Sequence, residues 1–182
     1  LMRSSAASDV YKRQLYQESY GEDLMHSVTV FRVTSDEIAE AGKAEGRIGD
    51  EGIQDVNAFQ WADRIYMLGT YAGYRTVGVG ADGLPEAKED AYTIGWLTGP
   101  LVVKEGTTLT AEIFNSNGNP ENIVLTTGTE LTPKKTDGTT YVDAELSDGT
   151  MCRIHIETAE GFPHTIDGVD EHEYFESIPY AG

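Results

Sequence analysis

The sequence predicts an all-β fold with minor helix, either a β-sandwich or a partly open barrel of about eight or nine short antiparallel strands with one or two short helices. Three observations support this prediction. Short runs of alternating apolar and polar residues recur along the chain, clusters of Gly, Asn, Asp and Pro separate them, and no long segment has the apolar spacing of a helix. The scarcity of helices also disfavours folds in which helices connect parallel strands.

A hairpin over residues 139–157 is the most strongly predicted element. In each half of this segment every second residue is apolar, and a Ser-Asp-Gly cluster lies between the halves. A period of two on both sides of a turn indicates a ribbon with one face in the core. The residues of that face are Val142, Ala144, Leu146, Cys152, Ile154 and Ile156.

The two apolar patterns also fix the register of this hairpin, because directly opposed residues lie on the same face of a sheet. A two-residue loop would oppose Ala144 to Arg153 and mix the faces. A three-residue loop over 147–149, with Gly149 left-handed, keeps them apart and is the loop predicted. Opposing Asp143 to Arg153 adds a favourable cross-strand charge pair. The predicted pairs are Ala144 with Cys152, Val142 with Ile154, and Asp143 with Arg153.

The remaining strands and loops follow from shorter patterns. Further strands are predicted at residues 25–33, 64–70, 74–79, 91–97, two segments within 101–114, 123–127 and 165–166. Polar or turn-forming residues predict a lead-in at 15–23 and loops at 47–52, 81–90, 115–122 and 131–138. Residues 53–61 suit either a helix or a strand.

Two short helices are predicted. Residues 35–44 are rich in alanine, and Thr34 and Glu37 before and within them have the spacing of a capping box. Residues 170–177 form a brief amphipathic pattern that Pro179 ends. Both helices are short, so they leave the all-β prediction unchanged.

Residues 4–14 stand apart from the rest of the chain. Their sequence, SSAASDVYKRQ, resembles the in-frame translation of a transposase sequencing adapter, as expected of a metagenomic fragment. We therefore expect residues 1–14 to be a non-native leader. Residues 15–182 are expected to form a single β-rich domain whose native N-terminus is missing.

The chain is strongly acidic. It has 13 Lys and Arg against 31 Asp and Glu, a formal net charge of −18 at pH 7. Without the leader, which contains Arg3, Lys12, Arg13 and Asp9, 10 basic and 30 acidic residues remain and the net charge is −20. This charge repels nucleic acids and anionic lipids, so neither is expected as a partner. No apolar run approaches the roughly 20 residues of a membrane-spanning helix.

Three local motifs suggest chemistry, and each is better explained by structure. Residues 78–83 match the glycine spacing of a dinucleotide-binding loop, but no long helix follows, so a glycine-rich turn is predicted. Residues 172–173 match the first half of a zinc-protease helix, whose second histidine is replaced by Glu176. Cys152 and His155 resemble a nucleophile and its base, yet they fall on opposite faces of a strand.

Carboxylates near the end of the chain are the candidates for a metal site. His155 and Glu157 share the outer face of a predicted strand, but a transition metal needs further ligands. The acidic Gly- and Asn-containing loops suit calcium better, although no EF-hand spacing is present. The candidate ligands are Asp167, Asp170 and Glu173. No other cofactor is indicated.

Aromatic residues concentrate in the middle third of the chain. On a β-sheet, aromatic rings can stack on sugar rings while nearby carboxylates bind the hydroxyls, and the alternative is that the rings pack in the core. The residues predicted to stack are Trp61, Tyr74 and Trp96. Carbohydrate is therefore the ligand class that the sequence favours.

Short strands joined by acidic Gly-, Asn- and Thr-rich turns resemble domains of bacterial surface proteins and lipoproteins. The resemblance implies an extracytoplasmic location, either secreted or lipid-anchored. A single cysteine excludes an internal disulfide framework. We expect a non-enzymatic module that binds a ligand or another surface protein. Two alternatives stay open: a hydrolase whose acid and base are carboxylates, and a structural domain of a longer surface protein.

Overall fold

The computed structural model describes residues 13–20, 26–95, 99–114, 119–158 and 161–181. These residues form sixteen strands and one short 3-10 turn. The prediction of an all-β fold with minor helix is therefore confirmed, while the strands are more numerous than predicted. The described part of the chain contains no helix with the length and apolar character that crossing a bilayer requires.

The chain divides into two compact units, each with its own core. Unit 1 comprises Leu1–Asp63 and Thr76–Lys88, and unit 2 comprises Arg64–Arg75 and Glu89–Gly182. The strands with residues in unit 1 are β1 (Arg13–Tyr20), β2 (His26–Val33), β3 (Ile38–Glu45), β4 (Arg47–Ile48), β5 (Phe59–Tyr66), β6 (Thr70–Val79) and β7 (Pro85–Ala87). β5 and β6 also contribute residues to unit 2.

The core of unit 1 is built around β2, as the predicted strand at 25–33 implies. β1, β2 and β3 form an antiparallel sheet with β2 in the centre, and Val28 and Val30 of β2 are fully buried. β4 pairs with β5, and β7 pairs with β6. Phe59, Trp61 and Val77 complete the buried cluster of this unit.

The predicted helix at 35–44 is wrong, because these residues form the turn and strand that follow β2. β3 pairs with β2 along its length. Thr34 Oγ1 accepts hydrogen bonds from the backbone N–H of Asp36 at 3.4 Å and of Glu37 at 3.1 Å. These are the bonds expected of a helix cap, but here they stabilise the turn between two strands. Pairing with β2 helps to bury the valines of that strand, and this tertiary stabilisation outweighs the local helix propensity of residues 35–44.

The predicted lead-in at 15–23 is also wrong over most of its length, since β1 pairs with β2 from Arg13 to Tyr20. The Tyr16 ring packs edge-on against Phe59, with ring centroids 6.4 Å apart. Gln14, the last residue of the adapter-like segment, donates from its side-chain amide to the Gly83 carbonyl at 2.9 Å. A polar strand can pair in this way when only one of its faces is covered.

The turn between β5 and β6 lies at 67–69 rather than at 71–73, so the predicted boundaries of these two strands are wrong. Leu68 and Gly69 both have positive φ, at 54° and 140°. Tyr71 is buried at the beginning of β6, where its hydroxyl donates to the Met67 carbonyl. The ambiguous residues 53–61 end in strand, because β5 begins at Phe59.

The strands that lie wholly in unit 2 are β8 (Tyr92–Ile94), β9 (Leu101–Val102), β10 (Thr108–Phe114), β11 (Pro120–Thr126), β12 (Glu130–Thr136), β13 (Tyr141–Leu146), β14 (Met151–His155), β15 (Thr165–Ile166) and β16 (Val169–Asp170). Its main sheet is antiparallel and has the order β11-β10-β14-β13-β12-β8-β6. One face of this sheet is buried. Fully buried residues on this face include Leu109, Leu131, Val142 and Ile154, and Phe175 packs into the same core from outside the sheet.

The predicted hairpin is confirmed as β13 and β14, with the predicted register. Ala144 opposes Cys152, and Asp143 opposes Arg153. Gly149 has φ of 86°, and its N–H donates to the Leu146 carbonyl at 2.9 Å, which closes the three-residue loop. The apolar pattern of this segment was sufficient to define both the faces and the loop.

The predicted turn region at 131–138 is wrong, because most of it forms β12 in the middle of the sheet. Leu131 and Thr136 of this strand are fully buried. The register against β13 shifts between Pro133 and Lys135. Proline is tolerated in a strand at such an irregularity, where its missing N–H leaves no gap in the ladder.

The predicted helix at 170–177 is reduced to a 3-10 turn at Glu171–Glu173. The predicted strand at 165–166 is confirmed as β15, which pairs with β16 through a two-residue loop. Asp167 and Gly168 in that loop both have positive φ, as a type I′ turn requires. Phe175, which follows the 3-10 turn, is buried in the core of unit 2.

Asp137 organises the loop that leads into β13. Its Oδ1 accepts from the backbone N–H of Thr139, Thr140 and Tyr141 at 2.9, 2.7 and 3.2 Å, and its Oδ2 accepts from the Thr140 hydroxyl. Burial alone would raise the pKa of the Asp137 carboxyl, but these hydrogen bonds together outweigh it and lower the pKa to about 2. The ionised carboxylate is therefore the form that the fold stabilises.

Replacing Asp137 by alanine is expected to lower the free energy of unfolding at pH 7 by about 1 to 2 kcal/mol, as loss of a capping carboxylate does. Because the folded pKa lies below the ordinary 3.8, this contribution is present above pH 3.8 and is lost as the pH falls towards 2. Urea denaturation of both proteins at pH 7, 5 and 3 measures the difference. A difference that stays constant down to the lowest pH would contradict the ionic role.

Candidate functional site

The exposed face of the unit 2 sheet carries a row of polar side chains that runs across its strands. Directly opposed residues share a face, so the strand register alone defines the row. Its pairs are Tyr74 with Thr93, Thr93 with Lys135, Lys135 with Asp143, Asp143 with Arg153, and Arg153 with Glu112. We call these six residues the outer row.

Arg153 is the centre of the best-ordered cluster on this face. Its Nε and Nη2 donate to the two carboxylate oxygens of Asp143 at 2.6 and 2.8 Å. Its guanidinium carbon lies 3.6 Å from the centroid of the Tyr141 ring and 5.1 Å from that of the Phe114 ring. A bidentate ion pair together with two cation–π contacts holds all four side chains in fixed positions. The hydrogen bonds that Arg153 donates to Asp143 raise the pKa of the guanidinium, so it stays charged.

A histidine–carboxylate contact and a further ion pair lie beside this cluster. His155 Nε2 lies 2.9 Å from Glu112 Oε2, and Lys134 Nζ lies 2.8 Å from Glu145 Oε2. Positive and negative groups therefore alternate on a face of a chain whose net charge is −18. The face offers hydrogen-bond donors and acceptors side by side, and the Phe114 ring, with 48% of its surface exposed, offers an apolar surface next to them. This combination suits a polar, uncharged ligand with apolar C–H faces.

One of the three predicted stacking residues belongs to this face. Tyr74 is half-buried at the β6 end of the outer row. Trp61 lies in the core of unit 1 with only 2% of its surface exposed, and its Nε1–H donates to the Glu45 carbonyl at 3.1 Å. Packing in the core of unit 1 therefore covers the faces of the Trp61 indole. Trp96 lies outside the described residues.

Gly95 positions the Tyr74 ring. A Cβ atom at Gly95 would lie only 2.6 Å from Tyr74 Cε2, so any larger residue would push the ring away. The Gly95 N–H donates to the Ala72 carbonyl at 2.9 Å, which keeps this stretch of backbone against β6. An aromatic ring covering a glycine of the neighbouring strand is a recognised way to protect exposed sheet backbone.

The three predicted calcium ligands each have another role in unit 2. Asp167 lies in the β15–β16 turn with φ of 51°. Asp170 Oδ1 accepts from the backbone N–H of His172 at 2.9 Å, which begins the 3-10 turn, and Glu173 lies 3.7 Å from Lys104 Nζ. Across the described ranges, no three His, Cys, Asp or Glu side chains are grouped so that they could hold a metal ion.

A separate cluster surrounds Glu171, whose side chain is fully buried. Its Oε1 accepts from the Tyr180 hydroxyl at 2.8 Å and from the backbone N–H of His164 at 3.3 Å. Among the residues that the structure describes, neither Glu171 Oε2 nor His164 Nδ1 has a hydrogen-bond partner. Burial raises the pKa of the Glu171 carboxyl, although the bond from Tyr180 and the nearby His164 act against this. The cluster connects Tyr180, near the end of the described chain, with the earlier segment of unit 2 around His164.

The other sequence motifs have structural roles. The Gly80 N–H donates to the Leu84 carbonyl at 2.8 Å, and the Gly83 N–H donates to the Gly80 carbonyl at 3.0 Å, so residues 80–84 form the predicted glycine-rich turn. Cys152 is buried and His155 is exposed, on opposite faces of β14 as predicted. Burial raises the pKa of the Cys152 thiol to about 11, so the thiol is unreactive.

The sequence analysis missed Phe114, Tyr141 and Arg153 as members of a site. The opposition of Asp143 and Arg153 was predicted, but only as a stabilising pair. The period of two in β13 and β14 could have extended this pair to a site, because it places Tyr141 and His155 on the same outer face as Asp143 and Arg153. The position of Phe114 depends on the pairing of β10 with β14, which no local pattern indicates.

Comparison with known proteins adds no further evidence about this site: no family model, curated protein or solved structure matches the chain. The candidate function therefore depends on the residues of the outer face alone.

Proposed function

We propose that the chain is a non-enzymatic binding module and that it binds a neutral carbohydrate on the exposed face of the unit 2 sheet. The observation that carries the proposal is the cluster in which Phe114 and Tyr141 flank Arg153 beside the carboxylates of Asp143 and Glu112. Aromatic rings stack on the C–H faces of a sugar, and carboxylates and guanidinium bind its hydroxyls.

The charges on this face favour a neutral sugar over a charged ligand. Asp143 compensates Arg153, and Glu145 compensates Lys134. A polyanion would also meet a chain of net charge −18, which repels it over long distances. A hydroxyl group both donates and accepts hydrogen bonds, so a polyol can use alternating donors and acceptors that are already ion-paired. Because those pairs fix the side chains beforehand, little conformational entropy is lost on binding.

The proposal predicts that Phe114→Ala and Tyr141→Ala weaken retention on a soluble neutral polysaccharide. Loss of one stacking ring is expected to lower affinity about tenfold, equivalent to 1.4 kcal/mol. Native affinity electrophoresis in gels containing hydroxyethylcellulose, xylan, galactomannan or starch measures the retention of each variant. Tyr74→Ala and Trp96→Ala should be included, because both residues were predicted to stack.

Phe162→Ala is the matched control for these variants. Phe162 is also an exposed phenylalanine of unit 2, with 61% of its surface accessible, but it packs against His164, His172 and Tyr180 rather than on the outer face. Its replacement should leave retention unchanged. If none of the four polysaccharides retains the parent protein, the proposal is wrong.

A carboxylate hydrolase is the second candidate, and the raised pKa of Glu171 is the observation that favours it. A general acid in glycoside hydrolysis must hold its proton near neutral pH, and it works with a second carboxylate across a cleft. The full burial of Glu171 weighs against contact with a substrate. Release of reducing sugar by the parent protein, and its loss in Glu171→Gln, would favour this candidate over the binding module.

The proposed setting is an extracytoplasmic surface protein of bacteria, and the alternative to a binding role in that setting is a purely structural one. Composition supports this setting: the chain is acidic, has one cysteine and contains many Gly-, Asn- and Thr-containing turns. The genomic sequence around the coding region tests this setting: a signal peptide or lipobox in the same reading frame would support it.

A further inference from the structure

The outer row is long compared with a single sugar ring. It crosses from β6 to β10 through β8, β12, β13 and β14, which is five strand spacings. At about 4.8 Å per spacing, the row is roughly 24 Å long. Aromatic rings lie near both ends, with Tyr74 on β6 and Phe114 on β10.

The middle of the row is polar and open to solvent. Thr93 and Lys135 are exposed, and they separate Tyr74 from the Asp143–Arg153 pair. Hydroxyl, ammonium, carboxylate and guanidinium groups therefore follow one another in a line across the strands. Such a line provides a hydrogen-bonding group at about every 4.8 Å, with apolar surface at either end.

The Tyr74 ring packs closely over Gly95, where a Cβ atom would lie only 2.6 Å from Tyr74 Cε2. Towards the other end of the row, the Arg153 guanidinium carbon lies 3.6 Å from the Tyr141 ring centroid and 5.1 Å from the Phe114 ring centroid, which orders these side chains. Two ordered aromatic positions joined by a polar row are suited to one extended ligand rather than to two separate small ones.

On the basis of the proposed function, we propose that the outer row binds an unbranched neutral polysaccharide that lies across the strands, with Tyr74 contacting one part of the chain and Phe114 and Tyr141 another. The occupant is a sugar polymer, because its hydroxyls repeat along its length and it carries no charge for the acidic chain to repel. Affinity must then increase with chain length until the ligand reaches both aromatic positions.

Isothermal titration calorimetry with a disaccharide, a tetrasaccharide and a hexasaccharide of the retained polysaccharide tests this arrangement. The hexasaccharide should bind the parent protein at least tenfold more tightly than the disaccharide. Phe114→Ala should weaken binding of the disaccharide and the hexasaccharide alike, whereas Tyr74→Ala should weaken only that of the hexasaccharide, by about tenfold.

Lys135→Ala provides a second variant at an exposed position in the middle of the row, in case Tyr74→Ala disturbs the fold. It should also reduce binding of the hexasaccharide while leaving that of the disaccharide unchanged. Equal affinity of the parent for all three lengths, or hexasaccharide binding unaffected in both variants, overturns the extended site while leaving the proposed function intact. Absence of retention on every polysaccharide removes the proposed function, and the extended site with it.

Discussion

Ile154→Ala is expected to lower the free energy of unfolding by about 2 to 5 kcal/mol, the cost of removing a large aliphatic side chain from a packed core. Ile154 is fully buried and opposes Val142 in the middle of the β13–β14 pair. A cavity at this point would affect both strands and the residues packed over them. Urea denaturation followed by far-UV circular dichroism measures the loss.

His155→Ala is the matched control for Ile154→Ala. His155 is the next residue along β14, on the opposite face, where 60% of its side chain is exposed. Its replacement removes one surface contact with Glu112, and surface pairs of this kind contribute about 0 to 1 kcal/mol. Equal losses in the two variants would contradict the assignment of an inner and an outer face to this hairpin.

The hairpin could be predicted because all the information it needs lies within nineteen consecutive residues, 139–157. The apolar period of two defines the faces, and the only loop that keeps apolar residues opposed also places Asp143 opposite Arg153. In β2 the local pattern is only partly informative, because Thr29 between Val28 and Val30 is buried as well and Phe31 follows directly. The sequence pattern and the final environment therefore agree for the hairpin, and only in part for β2.

The helix predicted at 35–44 failed because local and non-local preferences conflict there. Alanine and a capping-box spacing favour a helix in isolation. The adjacent β2 offers a full ladder of backbone hydrogen bonds, and pairing with it covers Val28 and Val30. A short helix of this length has little stability of its own in water, so the sheet prevails.

The turn predicted at 131–138, where β12 lies, failed for a different reason. Its sequence ELTPKKT contains a proline and two adjacent lysines, which indicate a turn. The shift in register at Pro133 accommodates the proline, and the lysines lie on the exposed side. Only the neighbouring strands β8 and β13 reveal that this polar segment is central to the sheet.

The candidate site shows the same division between local and non-local information. Tyr74 was predicted from the concentration of aromatic residues, but that concentration also included Trp61, which packs in the core of unit 1. Phe114 and Arg153 come together only because β10 pairs with β14, and these strands are far apart in the sequence. Composition can suggest a ligand class, whereas the geometry of a sheet surface requires the strand order.

Gly46→Ala is expected to lower the free energy of unfolding by about 2 to 4 kcal/mol, because it combines overpacking with a backbone conformation that alanine rarely adopts. Gly46 has φ of +104°, and a Cβ atom there would lie 2.3 Å from Trp61 Nε1 and 2.4 Å from Asp63 Oδ1. The indole cannot retreat without losing its hydrogen bond to the Glu45 carbonyl. The core of unit 1 should therefore be loosened around Trp61.

Gly52→Ala separates the cost of overpacking from the cost of the backbone conformation. Gly52 also has positive φ, at +68°, but a Cβ atom there would have no neighbour within 4 Å. Its replacement should cost only the backbone strain, about 1 kcal/mol. Tryptophan fluorescence during urea denaturation, in a Trp96→Phe background where Trp61 is the single remaining tryptophan, compares the two variants. If Gly46→Ala and Gly52→Ala lose the same stability, close packing of the Gly46 backbone against Trp61 does not stabilise unit 1. A larger loss for Gly46→Ala identifies that contact as part of the core of unit 1.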